Sequence, residues 1–123
     1  MQPRNLKKQR VLYVEDEVLI ALDGEEALRD MGFEDVVVAM SYKDAEAAIA
    51  REEFDLALLD INLGGGQTSL TLADTLFEKG SKVLFISGYT TTEGLRNRLK
   101  APLLPKPFDE KTLLAAIESV LAD

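Results

Sequence analysis

The strongest constraint on what this chain can fold into is a set of short, unbroken apolar runs, each closed by polar residues or glycine. Val11-Leu12-Tyr13-Val14 runs into Glu15-Asp16-Glu17, Leu56-Ala57-Leu58-Leu59 into Asp60, and Val83-Leu84-Phe85-Ile86 into Ser87-Gly88. A strand with one wet face alternates apolar and polar residues, whereas a strand covered on both faces does not. These runs therefore predict a parallel sheet lying between two layers of helices. Val36-Val37-Val38-Ala39 is a fourth run. Pro102-Leu103-Leu104 is a weaker fifth, its proline suited to a strand start or an edge.

The segments between the runs read as helices. Val18, Leu22, Leu28 and Met31 stand at roughly helical spacing, with Gly32 as a stop. Ser41 is placed to cap a helix that turns Ala45, Ala48 and Ile49 inward. Leu72, Ala73, Leu76 and Phe77 mark a third helix, ended near Gly80; Leu113, Leu114, Ile117, Val120 and Leu121 mark the last, capped by Asp109. Between the fourth and fifth strands only Leu95 and Leu99 follow the Thr90/Glu93 capping pattern, with Gly94 interrupting, so a short and mobile element is expected there. Strands alternating with helices imply right-handed crossovers in one parallel sheet. A single domain over 1–123 is expected, with 1–9 as a flexible extension and the basic cluster Arg4, Lys7, Lys8 and Arg10 as a frayed, solvated terminus.

Composition removes several function classes. The 123 residues contain neither cysteine nor histidine, which excludes disulfides, thiol chemistry and a Cys/His zinc site. The chain also cannot donate a phosphoryl group from histidine. A formal net charge of -8 opposes non-specific binding to nucleic acid. No apolar stretch approaches the roughly 20 residues of a membrane helix, and the acidic run at 15–17 prevents a signal-peptide core. A cytoplasmic location with no membrane partner is the expectation.

The strand ends collect the chemistry. In an open α/β sheet, ligands bind beyond the carboxyl ends of the strands, where strand order reverses. In a flavodoxin-like, doubly wound five-stranded sheet of order 2-1-3-4-5, with helices on both faces, strands one and three are neighbours at that reversal. Glu15, Asp16 and Asp60 would then converge with Ser87 and Lys106. Clustered carboxylates repel unless a cation intervenes, and hard oxygen ligands suit Mg²⁺. A carboxylate can serve as a phosphoryl acceptor; an ammonium and a hydroxyl can stabilise the charge of the transferring group.

Glu15-Asp16, Asp60, Ser87-Gly88 and Lys106-Pro107-Phe108, in that order and at these strand ends, resemble the receiver domain of bacterial response regulators over roughly Arg10 to Leu121. The resemblance implies that Asp60 is the phosphoacceptor, with Mg²⁺ held by Glu15, Asp16, Asp60 and the backbone carbonyl of Asn62. It implies Ser87 as the switch hydroxyl, Lys106 as the phosphate-contacting lysine and a cis bond before Pro107. It implies a sensor histidine kinase or a histidine phosphotransfer protein as donor, and an output through a further protein at the last helix and its neighbour. It also implies a protein that is not an enzyme beyond its own phosphorylation and dephosphorylation.

Two departures stand out. Leu103 occupies the position where receivers usually carry a switch aromatic, and the stretch from Ser87 to Lys106 is short. With Phe85-Ile86-Ser87-Gly88-Tyr89, these features resemble the FATGUY subgroup of single-domain receivers, associated with HWE-type histidine kinases. That subgroup would shift the switch role from residue 103 toward Tyr89 or mobility of the fourth helix. Alternatives are a pseudo-receiver that is never phosphorylated and an aspartyl-phosphate phosphatase. The phosphatase requires an acid two residues after its nucleophile, where this chain has Asn62. A flavodoxin-like electron carrier is disfavoured because Glu15-Asp16-Glu17 would repel a flavin phosphate.

Overall fold

The computed structural model describes residues 6–64, 68–88 and 97–122. Five strands, β1 (Arg10–Val14), β2 (Asp35–Ala39), β3 (Leu56–Asp60), β4 (Lys82–Ser87) and β5 (Leu103–Pro105), form one parallel sheet in the order β2-β1-β3-β4-β5. The described helices are α1 (Val18–Met31), α2 (Tyr42–Arg51), α3 (Leu70–Glu78) and α4 (Glu110–Leu121). This is the doubly wound, flavodoxin-like arrangement that the apolar runs imply. The element expected around Thr90 to Leu95 lies outside the described residues, as does Tyr89.

The unbroken runs have a simple physical use. Side chains alternate between the two faces of a strand, and both faces are covered here. Leu12, Val14, Ala57, Leu59, Val83 and Phe85 join Ala45, Ala48 and Ile49 of α2 and Leu72, Ala73 and Leu76 of α3 in one core. Val11, Tyr13, Leu56, Leu58, Leu84 and Ile86 face the other way, onto Leu28 of α1 and Leu113, Ile117, Val120 and Leu121 of α4. The central strand β3 is buried throughout, while β2, at the sheet edge, is only half-buried over Asp35–Val38.

The helix ends follow local chemistry. Gly32 takes a left-handed φ of 118°, which lets its N–H and that of Phe33 satisfy the carbonyls of Arg29 and Leu28. Ser41 and Asp109 each accept a hydrogen bond from a first-turn N–H, of Asp44 at 3.0 Å and of Thr112 at 2.8 Å.

Three sequence expectations need correction. Val18 and Leu22 do not face inward; they are 58% and 57% exposed, with Leu19 at 77%, and the buried residues of α1 are Ala21, Gly24 and Leu28. Within the segment read as an extension, Leu6–Lys8 form a 3₁₀ turn and Leu6 packs against the α1/α4 core. Arg10 likewise belongs to β1, where it pairs with Asp35 at 2.9 Å and bonds through its backbone to Asp55. For Arg10 the reason is that backbone pairing with β2 does not require an apolar side chain, so β1 begins earlier than its apolar run.

Candidate functional site

Each site residue is delivered by the end of a strand. β1 delivers Glu15 and Asp16, β3 delivers Asp60, β4 ends in Ser87, and the turn after β5 carries Lys106. Sheet order places β1 and β3 side by side, with Val14 paired to Leu59. Residues 45 positions apart in sequence, Glu15 and Asp60, thereby reach one pocket. The turn after β5 is fixed by the Lys106 N–H, which donates to the Ser87 carbonyl at 2.7 Å, and by a cis Lys106-Pro107 bond.

The centre of the site is an ammonium between two buried carboxylates. Lys106 Nζ stands 2.8 Å from Glu15 Oε1 and 2.8 Å from Asp60 Oδ2. Glu15 is 0% exposed and Asp60 5%. The remaining carboxylate oxygens are also engaged: the Glu17 N–H donates to Glu15 Oε2 at 3.1 Å, and the Asn62 N–H to Asp60 Oδ1 at 3.2 Å. Burial pulls the Lys106 pKa down, but the bonds to Asp60 and Glu15 together pull it further up, above the ordinary 10.5.

Asp16 is different in kind, being partly open to solvent and facing the cavity. It completes a group with Glu15 and Asp60 in which one carboxylate oxygen from each lies within 4.8 Å of the others. One ammonium cannot neutralise three carboxylates, so the group has the charge and the hard oxygen donors to attract a divalent cation. Glu15 is wholly buried and does not line the cavity, whereas Asp16 and Asp60 do. Asp16 and Asp60 are therefore the better placed donors, and Asn62 is exposed beside them.

The cavity has a volume of about 430 Å³, and Asp16, Asp60, Asn62, Gly88 and Lys106 line it. Ser87 is 2% exposed at the end of β4, and the lining there comes from Gly88 instead. Leu103, at the start of β5, is half-buried, paired with Phe85 and packed on the α2/α3 core. Tyr89 falls outside the described residues. Three further residues shape the site. Glu17 and Ile20 also line the cavity. Gly64 takes φ +77°, and a Cβ there would sit 3.1 Å from Asp16 Oδ2, so this glycine leaves the carboxylate room. Its place in a three-glycine run masked that role; Ile20 carries no signal in sequence at all.

Against known structures, the chain superposes on the PhyR stress response regulator with a TM-score of 0.78 and 32% identity over 92% of its length. It spans only 45% of that protein. A response regulator receiver protein from Sinorhizobium medicae gives a TM-score of 0.83 at 26% identity, covering 95% of this chain and 97% of that one. SdrG from Sphingomonas melonis gives 0.76 at 30% identity, covering 92% and 96%. Comparison with curated proteins by sequence finds no match. The family model of the response regulator receiver domain matches residues 11–118, which takes in every strand end described above, and the chain belongs to that family.

Proposed function

We propose that this chain is the phosphoacceptor of a two-component signalling system, with Asp60 receiving the phosphoryl group. The observation that carries this reading is the setting of Asp60: a nearly buried carboxylate at the end of β3, 2.8 Å from the Lys106 ammonium and grouped with Glu15 and Asp16. An Asp60 oxygen attacks the phosphorus of a phosphohistidine on a kinase or phosphotransfer protein. The new P–O bond forms as the P–N bond breaks, and the imidazole leaves with its electron pair. Lys106 would exchange part of its contact with the Asp60 carboxylate for a phosphoryl oxygen, keeping a positive charge where negative charge develops.

Asp16, Asp60 and the Asn62 carbonyl would hold Mg²⁺, which when bound offsets the charge between the acidic group and the incoming phosphate. Glu15 would act chiefly through Lys106, fixing the ammonium from the side away from the phosphate. Ser87 and the segment after it would then respond to the added charge, changing affinity for a downstream partner. Leu103 in place of a switch aromatic, together with the resemblance to the FATGUY subgroup, favours Tyr89 as the responding side chain and an HWE-type kinase as donor. A cytoplasmic setting and no enzymatic activity beyond self-phosphorylation and dephosphorylation belong to the same reading. Among the described residues no helix is long and apolar enough to cross a membrane.

Intact-mass measurement after incubation with acetyl phosphate, with and without Mg²⁺, tests this directly. The expected result is one phosphoryl adduct that requires Mg²⁺ and is absent in Asp60→Asn. A folded wild-type protein that takes no adduct, beside a control receiver that does, would establish the pseudo-receiver alternative.

A further inference from the structure

Two of the described glycines stand where a Cβ would crowd a side chain. At Gly24, inside α1, it would stand 2.4 Å from the buried ring of Tyr13, and packing alone accounts for that glycine. Gly64 differs, because its neighbour is a carboxylate of the acidic group. A Cβ there would lie 3.1 Å from Asp16 Oδ2, closer than ordinary van der Waals contact. The backbone has little freedom to retreat, since the turn is pinned on both sides of residue 64. The Asn62 N–H donates to Asp60 Oδ1 at 3.2 Å, Asn62 bridges to Thr68, and the Ser69 N–H donates to the Ile61 carbonyl at 2.9 Å. Leu63 is buried in the α2/α3 core. A side chain at 64 would therefore displace the Asp16 carboxylate by a few tenths of an ångström.

We propose, on the reading that Asp16 and Asp60 hold Mg²⁺, that Gly64 is a positioning residue that fits this pair to Mg²⁺ rather than to Ca²⁺. It acts through Asp16, by leaving the carboxylate where it stands. Asp16 and Asp60 both line the cavity, and an oxygen of one lies within 4.8 Å of an oxygen of the other. Mg²⁺ requires a nearly regular octahedron with ligands at about 2.0–2.1 Å, whereas Ca²⁺ accepts irregular shells at about 2.3–2.6 Å. A carboxylate displaced by a few tenths of an ångström is thus more than an Mg²⁺ shell absorbs and within what a Ca²⁺ shell absorbs. Backbone conformation is a separate matter. Gly80 shares the left-handed region, at φ +87° against +77° for Gly64, but a Cβ there would meet nothing within 4 Å.

The test is a titration of the ¹⁵N-labelled full chain with magnesium chloride, and separately with calcium chloride, at constant ionic strength and without phosphodonor. The amide shifts of Asp16 and Asn62 give the two affinities. Gly64→Ala is expected to weaken Mg²⁺ about ten-fold, the lower end of what lost support of a metal ligand costs, and Ca²⁺ by a smaller factor. Gly64 is exposed, and the same spectra report that the variant is folded. Gly80→Ala places the same backbone strain in open space and is expected to leave both affinities unchanged. Mg²⁺ affinity unchanged in Gly64→Ala, or Mg²⁺ and Ca²⁺ weakened by equal factors, overturns the proposal. Equal losses in Gly64→Ala and Gly80→Ala overturn it as well, by tracing the effect to backbone strain. A wild-type chain with no saturable Mg²⁺ shifts overturns the reading of Asp16 and Asp60 as Mg²⁺ donors, and the role of Gly64 with it.

Discussion

Lys106 holds two carboxylates that have almost no access to water, and removing it leaves both without a counter-charge. Lys106→Met is expected to lower stability by about 2 kcal/mol in urea unfolding, below the figure for fully buried pairs because the lysine is partly exposed. Adding Glu15→Gln should recover part of that loss, giving a non-additive pair. The pH dependence has a defined sign. A lysine whose folded pKa is raised above 10.5 contributes its full stabilisation below pH 10.5 and loses it as pH climbs through the folded value. Wild type and Lys106→Met should therefore converge in stability as pH climbs through that alkaline range, which urea midpoints across it will read. Gly24 makes the complementary case. Alanine there gains about 1 kcal/mol of helix propensity, but overpacking against a buried ring typically costs about 1–3 kcal/mol. Gly24→Ala is expected to be less stable than wild type by thermal unfolding despite the better helix former.

At the scale of elements, α1 is where spacing in sequence and packing in space part. A helical period fixes which residues share a face but leaves open which face turns inward. Val18 and Leu22 share a face with each other, yet the sheet lies on the side of Ala21, Gly24 and Leu28. Small residues at 21 and 24 let the helix approach β1 closely, and Tyr13 fills the space that a larger side chain on α1 would take. Leu22→Ser should accordingly change stability by less than about 0.5 kcal/mol, whereas Leu28→Ala should cost about 2–5 kcal/mol, both read from urea midpoints. Strands with buried, unbroken apolar runs were legible to within a residue at each end, because such a run has no phase to mistake. The caps at Ser41, Gly32 and Asp109 were legible too, since each satisfies backbone groups a few residues away.

For the whole molecule, a cation held by the acidic group would couple stability to the concentration of that cation. A ligand that binds only the folded state raises stability with its concentration, by about 2.7 kcal/mol at one hundred times its Kd. If Asp16 and Asp60 hold Mg²⁺, the unfolding temperature should rise with added Mg²⁺ in the wild type. Asp16→Asn should flatten that dependence while keeping the fold, because Asp16 is partly open to solvent. A rise of equal size in both proteins would assign the effect to general screening of the net charge of -8.

The sequence by itself determined the layers, the parallel sheet and the residues at its carboxyl edge, because burial on both faces and short-range capping leave local signatures. It carried Glu15, Asp16, Asp60 and Lys106 to the right strand ends. Only the tertiary structure decided how they divide the work. Glu15 is closed off and bonded to Lys106, while Asp16 faces the cavity, a difference between adjacent acids set by which way each leaves the end of β1. The same holds for Gly24 and Tyr13, eleven residues apart in sequence, whose relation exists only because α1 folds back across its own strand.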